Sequence, residues 1–94
     1  GADMVEIHTG PYANAGGQER EEELKKVAEA VKRARLNGIL ANAGHGLGYF
    51  NVKPIAAIEG IRGLYIGHSI VSRAVLVGFE KAVRQMRELI DGAR

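Results

Sequence analysis

An α/β fold with parallel strands is predicted by three observations. Strand-like and helix-like segments alternate along the chain, the strand candidates are short and closed by glycines, and two helix candidates follow the last strand. Alternation implies parallel strands joined by right-handed crossovers, which open sheets and closed barrels share. The extra short helix tilts the choice towards a barrel. Such barrels commonly bind phosphate between the loops after their last two strands and the N-terminus of a short added helix.

Residues 4–9 alternate Val5, Ile7 and Thr9 with Met4, Glu6 and His8 before Gly10-Pro11, a strand with an unusually polar face. Residues 12–18 are small and glycine-rich and read as a loop. From 19 to 36, Leu24, Val27, Ala28, Val31 and Ala34 recur at helical spacing. Acids gather at the start of this helix (Glu19, Glu21, Glu22, Glu23) and bases at its end (Lys32, Arg33, Arg35), as the helix dipole favours, and Asn37-Gly38 supplies the stop. These charges read as a solvated face.

Residues 39–42 are short, mostly apolar and bounded by glycines, as a buried parallel strand requires, and a loop carrying His45 follows. Residues 51–58 predict a brief helix with Pro54 placed early, where its missing N–H is tolerated. A third strand spans 63–66 and is closed by Gly67. From 68 to 77 only Ser69, Ser72 and Arg73 interrupt an apolar run after His68, which predicts a short buried helix ended by Gly78. Phe79, Ala82, Val83, Met86 and Ile90 then mark the apolar face of a closing amphipathic helix.

The 94 residues suffice for one small domain but fall well short of the roughly 250 of a complete α/β barrel. Apolar residues make up 46% of the chain, enough for a core. The net charge of +2 arises from well-mixed acids and bases, with no basic stripe and few aromatics, so nucleic acid is a poor candidate partner. The chain has no cysteine, which removes disulfide and thiolate chemistry and is compatible with a reducing compartment. No apolar run approaches the roughly 20 residues of a membrane span and the first residues do not form a signal peptide, so no membrane partner and a cytoplasmic location are expected. Gly1-Ala2-Asp3 lies almost directly before a strand without an initiator methionine, as expected of a piece of something longer.

In a parallel α/β arrangement catalytic groups sit at the C-terminal ends of strands, and His8, His45 and His68 all fall at or just beyond such ends. Glycines flank His45 on both sides and precede His68. Glycine admits close approach of a ligand to the backbone, and histidine exchanges a proton near neutral pH. For each histidine the alternative is a hydrogen-bonded structural residue, and His8, without flanking glycines, stays with that alternative. Glu6 shares a strand face with His8. In a barrel it points into the interior, where burial raises a carboxyl's pKa and makes it an acid, a base or an electrostatic stabiliser; the alternative is a structural ion pair. Gly67 and His68 at a helix start suit an anion, against the alternative of a tight turn that needs glycine. The histidine spacing matches no zinc pattern, there is no Walker A sequence, and Gly44-His45-Gly46-Leu47-Gly48 lacks the dinucleotide fingerprint. No metal or cofactor is expected.

Read together, the blocks Gly1-Ala2-Asp3, Val5-Glu6-Ile7-His8-Thr9-Gly10 with Tyr12-Ala13, Asn42-Ala43-Gly44-His45-Gly46-Leu47, Asn51-Val52-Lys53 with Ile55-Ala56-Ala57-Ile58, Ile66-Gly67-His68-Ser69-Ile70 and Arg73-Ala74-Val75 resemble the pyridoxine 5'-phosphate synthase family over essentially the whole chain. The resemblance implies the C-terminal three strand-helix units of a TIM (β/α)8 barrel, with an extra short helix after the final strand. It implies condensation of 1-deoxy-D-xylulose 5-phosphate with 3-amino-2-oxopropyl phosphate, releasing phosphate and water. His45 then matches the proton donor and Glu6 the carboxylate that stabilises a transition state. Gly46, Gly67 and His68 match positions that bind the aminoketone phosphate. The family's general bases, a histidine and a glutamate, belong to the five strands that have no counterpart here, so this chain alone is expected to be inactive and to pair with the remainder of a barrel or self-associate. Two other readings stand beside it: a non-catalytic, self-associating part-barrel, and an unrelated phosphate-binding barrel.

Overall fold

The computed structural model describes residues 3–94; Gly1 and Ala2, which take part in the resemblance, lie outside the described residues. The elements run β1 (Met4–His8), α1 (Gly10–Asn14), α2 (Gly17–Leu36), β2 (Leu40–Gly44), α3 (Val52–Ala56), β3 (Ile61–Tyr65), α4 (His68–Val77) and α5 (Phe79–Ala93). The strands form one parallel sheet in the order β1-β2-β3. Neighbours in sequence are neighbours in the sheet, the order that consecutive units of an α/β barrel also show.

The two faces of the sheet have different fates. Ala41 and Ala43 of β2, both fully buried, face a cluster built from Val27, Val31 and Ala34 of α2, Val52 and Ile55 of α3, and Met86 of α5. Small side chains at the centre of the sheet let the helices approach closely. On the opposite face Met4 and Glu6 of β1 are exposed, and the pairing sets Glu6 against Asn42 and His8 against Gly44. Alternation along β1 therefore resolves as expected, with Ile7 and Thr9 towards the helices and Glu6 and His8 away from them.

The end of α2 follows its sequence signal closely. Gly38 takes a φ of +72°, its amide donates to the Arg35 carbonyl at 3.0 Å, and the Ile39 amide reaches back to Ala34 at 2.9 Å. This is the paired hydrogen bonding of a Schellman stop. Pro54 is the third residue of α3, within the first turn, where no intrahelical acceptor awaits its nitrogen.

Three expectations need correction. Residues 12–18 are not a loop throughout: residues 12–14 join Gly10 and Pro11 in the single turn α1, and α2 already starts at Gly17; five residues are too few to show a helical period, and their composition mimics a loop. β3 begins at Ile61, not Gly63. A bulge between Ala41 and Asn42 pairs Ala41 with Ile61 and Asn42 with Gly63, so the extra residue Arg62 breaks the alternation that sequence reading relies on. α4 is not buried: none of its residues is buried, and Val75 and Leu76 are 82% and 78% exposed. An apolar run records that a face is meant to be covered, but not that this chain covers it.

Tyr12 anchors α1. Its side chain is among the largest fully buried, its hydroxyl donates to the Asn51 carbonyl at 2.7 Å, and the Arg20 guanidinium sits 5.7 Å over its ring. Burial pushes the phenol pKa up from its ordinary value, partly offset by the Arg20 charge. A raised native pKa means the fold holds this proton more tightly than the unfolded chain does. The contribution is fully present below the unfolded value near 10 and is lost as pH rises through the native one. In urea denaturation from about pH 8 to about pH 11, Tyr12→Phe is expected to cost about 1 kcal/mol at the neutral end and to lose less stability than the parent at the alkaline end. Parallel curves for the two proteins would show that Tyr12 does not carry this dependence.

Candidate active site

The three parallel strands end on one side of the sheet, and their ends make one cleft of about 960 Å³. Its lining includes Glu6 from β1, Gly10 from α1, His45 and Gly46 after β2, and Gly67, His68 and Ser69 at the start of α4. All five residues singled out from the sequence, Glu6, His45, Gly46, Gly67 and His68, thus border the same space, although they come from three separate segments.

Thr9 organises the junction of β1 and β2. Its side chain is fully buried, and its amide continues the ladder by donating to the Gly44 carbonyl at 2.8 Å. Its hydroxyl lies 2.8 Å from the Gly44 carbonyl and 2.7 Å from that of His45, so its one hydrogen is shared between them. His45 adopts a φ of +93°, the single positive value among the described non-glycine residues. Such a backbone costs about 1–3 kcal/mol and persists only where its surroundings impose it. Thr9 supplies that constraint from one side, and the turn after His45 supplies it from the other.

That turn is tied by Asn51, whose Oδ1 accepts from the Gly48 amide at 2.7 Å while Nδ2 donates to the Gly46 carbonyl at 3.1 Å. Tyr12 holds the Asn51 carbonyl in turn. Asn51, read from the sequence as the first residue of a helix, stands instead just before α3, where its side chain makes no cap hydrogen bond and clamps the histidine loop. Thr9, Gly10 and Asn51 were not picked out as site residues by the sequence. Their only signal is their position in the quoted blocks: the Thr9 bond spans 36 residues and leaves no local pattern, and the short loop bonds of Gly10 and Asn51 have no periodicity to reveal them.

The glycines separate by the reason each is needed. Gly46 has a φ of +74°, and a Cβ there would lie 2.7 Å from the Ala13 Cβ, so the chain's own packing demands glycine. Gly67 has a φ of −93° and ψ of −54°, which any residue adopts, and a Cβ there would meet nothing within 4 Å. Neither the turn geometry nor the chain's own packing therefore demands glycine at 67. Beyond it begin the first-turn amides of α4, which have no intrahelical acceptor.

Glu6 departs from expectation. It is exposed and makes no ion pair among the described residues, so neither a desolvated carboxylate nor a structural pair describes it here. The reason is geometric, because the open face of a three-stranded sheet has nothing above it. His8 is hydrogen-bonded, its Nδ1 accepting from the Gly10 amide at 3.3 Å, and its ring also stacks on that of His45 with centroids 4.3 Å apart and planes 30° apart. No group of three metal-ligating side chains converges among the described residues, and no helix there is long and apolar enough to cross a membrane.

Residues 1–92 match the family described as "Pyridoxal phosphate biosynthesis protein PdxJ". Pyridoxine 5'-phosphate synthase of Thermodesulfovibrio yellowstonii is 60% identical over 93 residues, covering 99% of this chain and 38% of the relative. The enzymes of the same name from Syntrophotalea carbinolica and Prochlorococcus marinus are 56% and 54% identical over 94 residues, covering 99% and 100% of this chain and 39% of each relative. The chain thus spans under two-fifths of the length of these relatives. With a family match over nearly its whole length, the chain belongs to the PdxJ family of pyridoxal phosphate biosynthesis proteins.

Proposed function

We propose that this chain forms the last three strand-helix units of a (β/α)8-barrel pyridoxine 5'-phosphate synthase, with α4 as the extra helix after the final strand. In this reading it supplies the proton donor and the aminoketone phosphate site for the condensation of 1-deoxy-D-xylulose 5-phosphate with 3-amino-2-oxopropyl phosphate. The observation that carries the reading is the convergence of Glu6, His45, Gly46, Gly67 and His68 on one cleft at the strand ends. A cytoplasmic location goes with it.

The roles follow from the positions. Gly67 presents bare backbone beside the start of α4, where first-turn N–H groups and the helix dipole favour a phosphate. Gly46, in its left-handed conformation, adds the backbone beside His45. The His45 imidazole stands at the cleft wall, within the same space as that anion site, and delivers a proton to the reacting oxygen. Glu6 offers negative charge from the sheet face to a cationic transition state. In the complete barrel the remaining strands cover this face and desolvate the carboxylate.

A second reading, a self-associating part-barrel without catalysis, is favoured by one observation. No residue of α4 is fully buried, and Val71, Val75, Leu76 and the following Phe79 are exposed, while β1 and β3 each leave an unpaired edge among the described residues. Exposed apolar surface and open edges promote association.

Three outcomes test these readings. When the chain is combined with the N-terminal portion of a relative, product formation should be restored and should fall by about 10²–10⁴-fold in His45→Ala; equal turnover in the variant would remove His45 from catalysis. In a backbone NMR titration of the chain with 3-amino-2-oxopropyl phosphate, shifts should concentrate at Gly46, Gly67 and His68. Gly67→Ala, which the fold accommodates, should weaken that binding by about tenfold or more, whereas unchanged affinity would place the phosphate elsewhere. Sedimentation of the chain alone should give a mass that grows with concentration, and a monomer at all concentrations would contradict self-association.

A further inference from the structure

His45 has an unusual environment for a residue that must present one ring nitrogen to a substrate. It is exposed, its backbone is held in a left-handed conformation, and its ring makes no hydrogen bond among the described residues. An exposed imidazole with two free side-chain torsions spreads over several orientations, and only some of them aim a proton into the cleft. Its ring stacks on that of His8.

His8 is itself fixed. Gly10 is the first residue of α1, so its amide has no intrahelical acceptor, and it donates to His8 Nδ1 at 3.3 Å. A nitrogen that accepts a hydrogen bond carries no proton, so the neutral His8 ring holds its hydrogen on Nε2. The absence of a side chain at residue 10 makes room for the His8 ring. A Cβ there would lie 2.5 Å from His8 Cε1 but at an ordinary contact distance of 3.5 Å from His45 Cδ2. Thr9, between them, holds the His45 carbonyl and so sets the strand end beneath the second ring. Three consecutive residues thus act on His45, His8 through its ring, Thr9 through its backbone and Gly10 through His8.

We propose that His8 is a positioning residue for His45: its ring, oriented by the Gly10 amide, is the surface against which the His45 imidazole rests while facing the cleft. The proposal rests on the reading of His45 as proton donor, but the contact itself is testable without catalysis. His8→Phe keeps a flat ring and loses the acceptor for Gly10. His8→Asn keeps a short side-chain acceptor and loses the ring. If His8 acts through the stack, Phe preserves its effect and Asn abolishes it; if His8 only caps α1, the order reverses.

The first measurement is imidazole NMR of the chain labelled with ¹⁵N and ¹³C. The His45 ring protons should show a ring-current shift that persists in His8→Phe and collapses in His8→Asn, and His8 should appear as the Nε2–H tautomer. The second uses the barrel completed with the N-terminal portion of a relative. There kcat should fall about 10- to 100-fold in His8→Asn with KM for both phosphorylated substrates unchanged, and His8→Phe should recover most of it. Gly10→Ala, whose Cβ collides with the His8 ring, should disturb the His45 ring signals as well. His45 ring signals that do not respond to His8→Asn would overturn the proposal, as would a variant order in which Asn preserves kcat and Phe does not. If instead the ring signals respond as expected but His45→Ala leaves turnover intact, the stack stands and the assignment of His45 as donor fails.

Discussion

The buried hydroxyl of Thr9, shared between the carbonyls of Gly44 and His45, is the contact on which the site depends. Parallel strands pair through their backbones, and that pairing stops at the strand ends, just where a site must be held to fractions of an ångström. Thr9 extends the joining of β1 and β2 by one further residue and by one side chain. The strained backbone of His45 is imposed from there, and the stack of His8 on His45 follows because the two residues lie at adjoining strand ends. Asn51 and Tyr12 complete the restraint from the far side of the loop. The site is a set of loops whose ends are fastened by a few buried polar contacts to a rigid sheet.

The sheet has one covered face and one open one, and this asymmetry organises everything else. The covered face carries Ala41, Ala43 and Ile61 against α2, α3 and α5 and accounts for the stability of the unit. The open face carries Met4, Glu6 and, at its edge, Tyr65, whose hydroxyl accepts from Asn42 Nδ2 at 3.3 Å. The cleft lined by Glu6, His45, Gly46, Gly67 and His68 opens at the strand ends.

Much of the architecture was legible before the structure. α2, with its apolar spacing, its charge gradient and its Asn37-Gly38 stop, lies where periodicity puts it, because a helix of 20 residues repeats its pattern several times. The five candidate site residues meet in one cleft because parallel strands deliver their C-terminal ends to the same side. What escaped was short or non-local: the single turn α1, the bulge at Arg62, the clamp by Asn51 and the pairing of His8 with His45. A single helical turn has no period, a bulge breaks one, and a contact between residues 8 and 45 has no expression in either neighbourhood.

The sequence by itself determined the alternation of strands with the longer helices and the side of the sheet where the candidate residues gather, because these follow from local periodicity and from the handed geometry of parallel strands. The tertiary structure alone decided which glycine is required by the chain's own packing and which is not, that Glu6 and α4 lie exposed, and that the rings of His8 and His45 stack. Those outcomes depend on what stands opposite each residue in space. A linear order of amino acids contains that information only through the fold it produces.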